Sequence, residues 1–304
     1  MAASCDGVVP VDQAALQDWC AALCNVRRVR PAVYLIYYDC LRAVRRDDAE
    51  ALAALLQELV TRPAGMGALA VRNFGDAGDP PAVWLRFARA LASGGSNLQP
   101  TPVAPGRFVT ASRRLRQAQA LLALAAPELA AEIELLIGEI VFAEDQAAPD
   151  GGFGGATSFE AWGAILLNAR RHGTPVAMAN GLVHEAAHAL LFAWSGGAPV
   201  VENAPDALYG SPLRPDQRPM EGVFHATFVS ARMCYAMDRL LASGMLDEQS
   251  GAEARAAREN ACRAFVAGHC VVAAHARPTA VGAAAMAMAR DYMCGHAAVS
   301  LTKC

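Results

Sequence analysis

The chain has 304 residues, enough for one large domain or two modest ones. Hydrophobic residues make up 54%, so a sizeable core is feasible, and much of that fraction is alanine, which favours closely packed helices. A formal net charge of -3 provides no basic face for nucleic acid, and no apolar run approaches the ~20 residues that cross a bilayer.

In chain order, Met1 to Asp12 has no basic region followed by an apolar one, so no secretory signal is expected. The nine cysteines are then expected to be reduced, in a cytoplasmic protein; an odd number without CxxC pairs is neither a disulfide framework nor a zinc ribbon. Val11 to Val26, Ala32 to Arg45 and Asp47 to Arg62 have apolar residues three and four apart and read as helices. Cys20 and Cys24 share a face of the first and read as small packed hydrophobes. Basic clusters at Arg27 to Arg30 and Arg42 to Arg46 read as solvated helix faces.

Ser93 to Gly106, rich in Pro, Gly and Ser, reads as a linker or surface loop. A helix is expected from Thr110 to Leu124, another from Pro127, and a strand over Ile137 to Phe142. The glycine-rich loop Asp145 to Thr157 lacks the Gly-Lys-Ser/Thr ending of a phosphate loop. Trp162 to Asn168 reads as a strand, and an extended peptide adding along it is one way to bind a substrate. The next helix has Thr174 as cap, Pro175 in its first turn, and Gly196 and Gly197 after Ser195 to end it. The last 60 or so residues are again helical in pattern. The fold expected is α+β and predominantly helical, with a zincin-like metal-binding core, a small sheet and an N-terminal helical region. The division expected is 1–107 for that region and 108–304 for the catalytic domain.

His184-Glu185-Ala186-Ala187-His188 is the sharpest signal. Residues four apart share a helix face, so two imidazoles can reach one divalent ion at metal–nitrogen distances of about 2.0–2.1 Å. Glu185 points about 100° further round, within reach of metal-bound water. Gly181, one turn earlier, leaves room beside the ion. An open catalytic site needs a third protein ligand and free positions. Leu191 and Trp194 stand where an HExxHxxGxxH extension would have its Gly and third His, so the ligand comes from farther along. The segment Arg218 to His225 is expected to open a second helix, capped by Asp216, running to Ser243 and closed by Gly244. Glu221 and His225 are four apart there, and either can be the ligand; Gly222 beside them would let two helices approach. With Glu221, or Glu202, the set is that of a zinc metallopeptidase with Glu185 as general base. With His225 it is three imidazoles. A scaffold that keeps a metal for structure is a further reading, though structural zinc has four protein ligands.

The LVHEAAH run at Leu182 to His188, followed about 30 residues later by RPMEGVFH at Arg218 to His225, resembles the HExxH-type peptide beta-hydroxylases, which act on ribosomally made peptides. Arg218, Pro219, Gly222 and His225 match that family's RPxxGxxH element, and Gly163 to Ile165 is also similar. The resemblance covers mainly residues 135 to 245. It implies a dioxygenase holding Fe(II) through His184, His188 and His225, with 2-oxoglutarate as co-substrate and a precursor peptide as substrate. It implies a cation for the co-substrate's distal carboxylate, first Arg218 and second Arg214, because a guanidinium fork pairs with a carboxylate. Glu185 would then orient a ligand or the substrate. No nucleic-acid or membrane partner is implied. Of the other histidines, His269 and His275 read as core or surface residues, and His172 and His296 have no partner signal.

Overall fold

The computed structural model describes residues 11–92, 98–145, 152–212 and 216–295. The described chain is α+β and mostly helical, and it divides into two compact units. One comprises residues 1–104 with 137–168, the other 105–136 with 169–304. Residues 137–168 fall with the N-terminal unit because their strands pair with a strand from that region.

The first unit opens with α1 (Gln13–Cys24), α2 (Pro31–Arg45) and α3 (Ala49–Val60). Asp12 and Asp48 accept from the Ala15 and Ala51 amides and so cap α1 and α3, while α2 begins on Pro31. Leu16, Trp19, Ile36, Cys40, Leu56 and Leu59 share one apolar cluster between the three. The strands are β1 (Ala70–Asn73), β2 (Pro100–Thr101), β3 (Glu139–Asp145), β4 (Gly155–Thr157) and β5 (Ala164–Asn168). α4 (Pro81–Ala92) follows β1. The sheet runs β1-β3-β5-β4, with β2 also on β3. β1, β3 and β5 are parallel, and β4 returns antiparallel. The inner strands are almost wholly buried, which is why they read as continuous apolar runs. β5 is bonded to β3 on one side and β4 on the other, so it offers no free backbone edge. Peptide addition along 165–167 is thereby blocked.

In the basic clusters Arg27, Arg45 and Arg46 are exposed, as expected of a solvated face, whereas Arg42 is drawn into ion pairs. Arg27 to Arg30 lies between α1 and α2, where Val29 bridges Gly65. Arg42 pairs with Asp39 at 2.9 Å and with Glu160. Arg86 reaches Asp39 and Glu58 at 2.8 Å each, and Arg62 reaches Glu58 at 3.0 Å and buried Asp79 at 2.7 Å. Arg72 joins Asp79 to Asp76. This chain of alternating charges ties α2, α3, α4 and β1 together, and it has a pH signature. Burial alone would raise Glu58, but Arg86 and Arg62 hold it below its ordinary 4.5. Burial would likewise raise Asp76, but Arg72 and the Gly78 amide hold it below 3.8. Carboxyls depressed on folding stabilise above their unfolded pKa values, and that contribution disappears as pH falls through the folded ones. The urea midpoint should therefore decline as pH falls below about 4.5. Arg86→Gln should flatten the decline, and an unchanged slope in that variant would refute the assignment.

The second unit holds α5 (Pro105–Ala125), α6 (Pro127–Leu136), α7 (Pro175–Ser195), α8 (Met220–Ala242), α9 (Glu248–His275) and α10 (Ala280–Gly295). A two-stranded ladder, β6 (Leu208–Tyr209) with β7 (Arg218–Pro219), precedes α8. The core joins α7 to α8, α9 and α10 through Leu191, Phe224, Phe228, Phe265, Ala285 and Met293. No helix among the described residues is long and apolar enough to cross a membrane. Cys20, Cys24, Cys40, Cys234, Cys262 and Cys294 are free thiols. Cys270 is disulfide-bonded, contrary to the expectation that all are reduced.

Candidate metal centre

α7 is built as its sequence predicts. Thr174 Oγ1 accepts from the Ala177 amide at 3.0 Å, and its hydroxyl donates to the Glu253 carboxylate at 2.6 Å. Gly196 ends the helix at φ 59°, a left-handed conformation that costs glycine nothing. α8 starts differently from expectation. Pro219 holds the cap position without a side-chain bond, and Asp216 instead faces Arg218, Oδ2 to Nη1, at 3.4 Å. The cap fails because Asp216 is separated from the first helical turn by β7. The far end, Ser243 followed by Gly244, is as expected.

Within this unit the two helices bring imidazoles together. His188 Nδ1 and His225 Nδ1 are 3.1 Å apart, with ring centroids at 5.4 Å and planes at 18°. Phe192 lies against the His225 ring at 5.4 Å. His184 stands beside His188 at 5.1 Å, its Nδ1 directed to Met233 Sδ at 3.4 Å. His225 is buried, whereas His184 and His188 keep partial exposure. The cluster is thus open on the α7 side.

Glu221 sits behind His225 and is not a free ligand. Its carboxylate accepts from the Val200 and Val201 amides at 3.2 and 3.3 Å and lies 3.4 Å from His225 Nε2. Burial would raise its pKa, but the His225 contact and the two amides hold it low. A carboxylate acceptor at Nε2 favours a proton on that nitrogen, while Nδ1 faces His188 Nδ1. Burial, with a small contribution from nearby His172, lowers His184 to about 4. Burial and the neighbouring His184 and His225 push His188 well below its usual range. Both are neutral imidazoles at pH 7, the form that ligates metals. Glu185 is 3% exposed, its Oε1 3.8 Å from His184 Nε2.

Two steric expectations are corrected. A Cβ at Gly181 would lie 2.3 Å from His172 Cε1, so the space left by that glycine is filled by an imidazole. A Cβ on Gly222 would meet only the Arg218 side chain, at 3.5 Å, so the residue is not a helix–helix contact. Sequence reasoning missed both His172, buried against α7, and Met233. The Met233 signal was present, since it lies eight residues after His225 and so on the same face of α8. His172 carries none, because it precedes the helix outside any regular element. Arg214 and His296 lie outside the described residues. The Glu202 backbone is bound to Arg277, its amide donating at 2.7 Å and its carbonyl accepting at 2.6 Å.

A divalent transition metal fits this donor set in chemistry and, for one pair, in spacing. Two cis ligands at about 2.1 Å from one ion are about 3.0 Å apart, close to the His188–His225 separation. As the side chains stand, no group of three or more His, Cys, Asp or Glu among the described residues is placed to hold a metal. No protein-family model matches the chain, and the curated proteins contain no match to it.

Proposed function

We infer that the chain is a metalloenzyme of zincin-like core, an Fe(II)- and 2-oxoglutarate-dependent dioxygenase that hydroxylates the β-carbon of a residue in a ribosomally made peptide. The observation that carries the metal is the juxtaposition of two imidazole Nδ1 atoms from α7 and α8 at 3.1 Å, with His184 alongside. The choice of iron and co-substrate rests on the resemblance of the two motifs. Iron held by three imidazoles with open positions supplies oxygen activation when bound. His184, His188 and His225 are the residues that would hold it. Glu221 fixes the His225 tautomer and ring orientation, the role a carboxylate behind a ligand imidazole commonly has. Glu185, buried next to His184, orients that ring. Arg218, seven residues before His225, is the guanidinium that would take the co-substrate's distal carboxylate, by a forked pair of hydrogen bonds.

The zinc peptidase reading is the poorer fit. It requires Glu221 to leave two amide donors and the imidazole behind it, and those bonds are what a supporting carboxylate makes. The test is incubation of the reduced, metal-free chain with Fe(II), 2-oxoglutarate and oxygen. The expected result is oxygen-dependent succinate formation that needs added Fe(II), and a gain of one oxygen in a peptide substrate. Peptide cleavage with zinc in the absence of oxygen, lost in Glu185→Gln, would establish the peptidase instead. No metal uptake at all would sink both.

A further inference from the structure

Away from the histidines, α8 and α9 hold a second reactive arrangement. Cys234 on α8 is fully buried and Cys262 on α9 is half-buried, and their Sγ atoms are 3.1 Å apart. The pair is surrounded by polar groups drawn from three helices. Asp238, one turn after Cys234, accepts from the Cys234 thiol at 3.7 Å and from the Tyr292 hydroxyl of α10 at 2.6 Å. Arg258, one turn before Cys262, pairs with the same carboxylate. From this geometry we propose that Cys234 and Cys262 form a redox site in which Cys262 is the attacking sulfur toward a small hydroperoxide and Cys234 resolves it, giving a reversible disulfide between α8 and α9.

The two thiols are not equivalent. The Cys234 contact lowers Cys262 to about 7 against its burial, and the Arg258 charge helps. Cys234 is pushed up by its contact with Cys262 and by burial, with Asp238 adding to the rise. Cys262 is the more accessible sulfur and the one whose ionised form the Arg258 charge favours, so it is the attacking group, and buried Cys234 beside Asp238 is the resolving one. In the first step the Cys262 thiolate attacks the terminal peroxide oxygen, the O–O bond breaks, and an alcohol or water leaves with a proton, yielding a sulfenic acid. In the second the Cys234 sulfur attacks that sulfenic sulfur while its proton passes to Asp238, and hydroxide leaves and is protonated to water. The balance is two thiols and one hydroperoxide to one disulfide, one alcohol and one water. The sulfurs need only close from 3.1 Å to a bond of about 2.05 Å, a small shift for two side chains already in contact. Exposed Cys24 and Cys294 have no such second sulfur among the described residues.

The test treats the full chain with a slight excess of hydrogen peroxide, quenches with an alkylating reagent, and maps the peptides by mass. The expected product is one linked pair of peptides containing Cys234 and Cys262, released by a thiol reductant. It should form about tenfold faster than oxidation of Cys24, which has no resolving sulfur in contact among the described residues. In Cys234→Ser the sulfenic acid on Cys262 should persist and be trapped by a dione reagent. Cys262→Ser, at the half-exposed position, should leave Cys234 unoxidised. Oxidation of Cys262 no faster than that of Cys24, or its advance to sulfinic acid in the unmutated chain without a link to Cys234, would overturn the proposal. Neither result bears on the histidine cluster, so this site and the metal reading fail separately.

Discussion

His225→Ala is expected to lower metal affinity by at least about 100-fold and to abolish oxygen-dependent succinate formation, while the chain stays folded. Removing a partner behind a ligand typically costs 10–100-fold, so removing a ligand itself costs more. The same substitution deletes the ring that faces His188 and leaves Glu221 with its two amide donors, so the local backbone keeps its anchor. Glu221→Gln is the informative companion. An amide still accepts from Val200 or Val201, but it no longer fixes the His225 tautomer with a charge, and a loss of about 10–100-fold in affinity is expected. A peptidase using Glu221 as its third ligand would rank the two variants in the opposite order. Titration of the metal-free proteins with Fe(II) or zinc reads the ranking without any substrate. If His225→Ala binds metal as tightly as the unmutated chain, the close approach of the two Nδ1 atoms is only a hydrogen bond between two imidazoles.

Much of this was legible in the sequence, for reasons that differ by element. α7 could be delimited from its sequence because its cap, its first-turn proline and its terminal glycine are all local signals, and each one does in the fold what it does in isolated helices. The pairing of α8 with α7 through His225 was anticipated from spacing and resemblance together, and the structure places His188 and His225 in contact. β1 and α4 were not anticipated. β1 is a four-residue strand with two polar side chains, too short to show a period of two, and it exists because it has β3 to pair with. The domain division shifted for the same reason, since strand pairing joins residues distant in sequence. Arg42 read as part of a solvated face, and the ion pairs that Arg62, Arg72 and Arg86 make drew no reading, because sequence shows basic residues, not the carboxylates that tertiary packing places against them. The role of Gly181 was misread in the same way. An absent side chain marks a close approach, and only the fold shows that the approaching group is His172.

The other large expected effect concerns the support of α8 rather than its ligand. A Cβ on Gly268 of α9 would stand 2.1 Å from Thr227 Oγ1 and 2.9 Å from Pro212 Cγ. Thr227 is fully buried, two residues after His225, and its hydroxyl donates to the Val223 carbonyl at 2.8 Å. Gly268→Ala therefore forces α8 and α9 apart or turns Thr227 into a packed core. Overpacking of that kind costs about 1–3 kcal/mol, which lowers the melting temperature by about 2–12 °C for a unit of this size. A shift of α8 also moves His225 relative to His188, so metal affinity should drop together with stability. Adding Thr227→Ala removes the nearest atom in the way, Thr227 Oγ1, and leaves the milder contact with Pro212. The Thr227 bond lies within its own helix and contributes little there. The double variant should therefore be more stable than the sum of the two single changes, by a coupling of about 0.5–3 kcal/mol. Strict additivity in thermal melting would mean that the helices yield elsewhere and that the Gly268–Thr227 contact does not set their spacing.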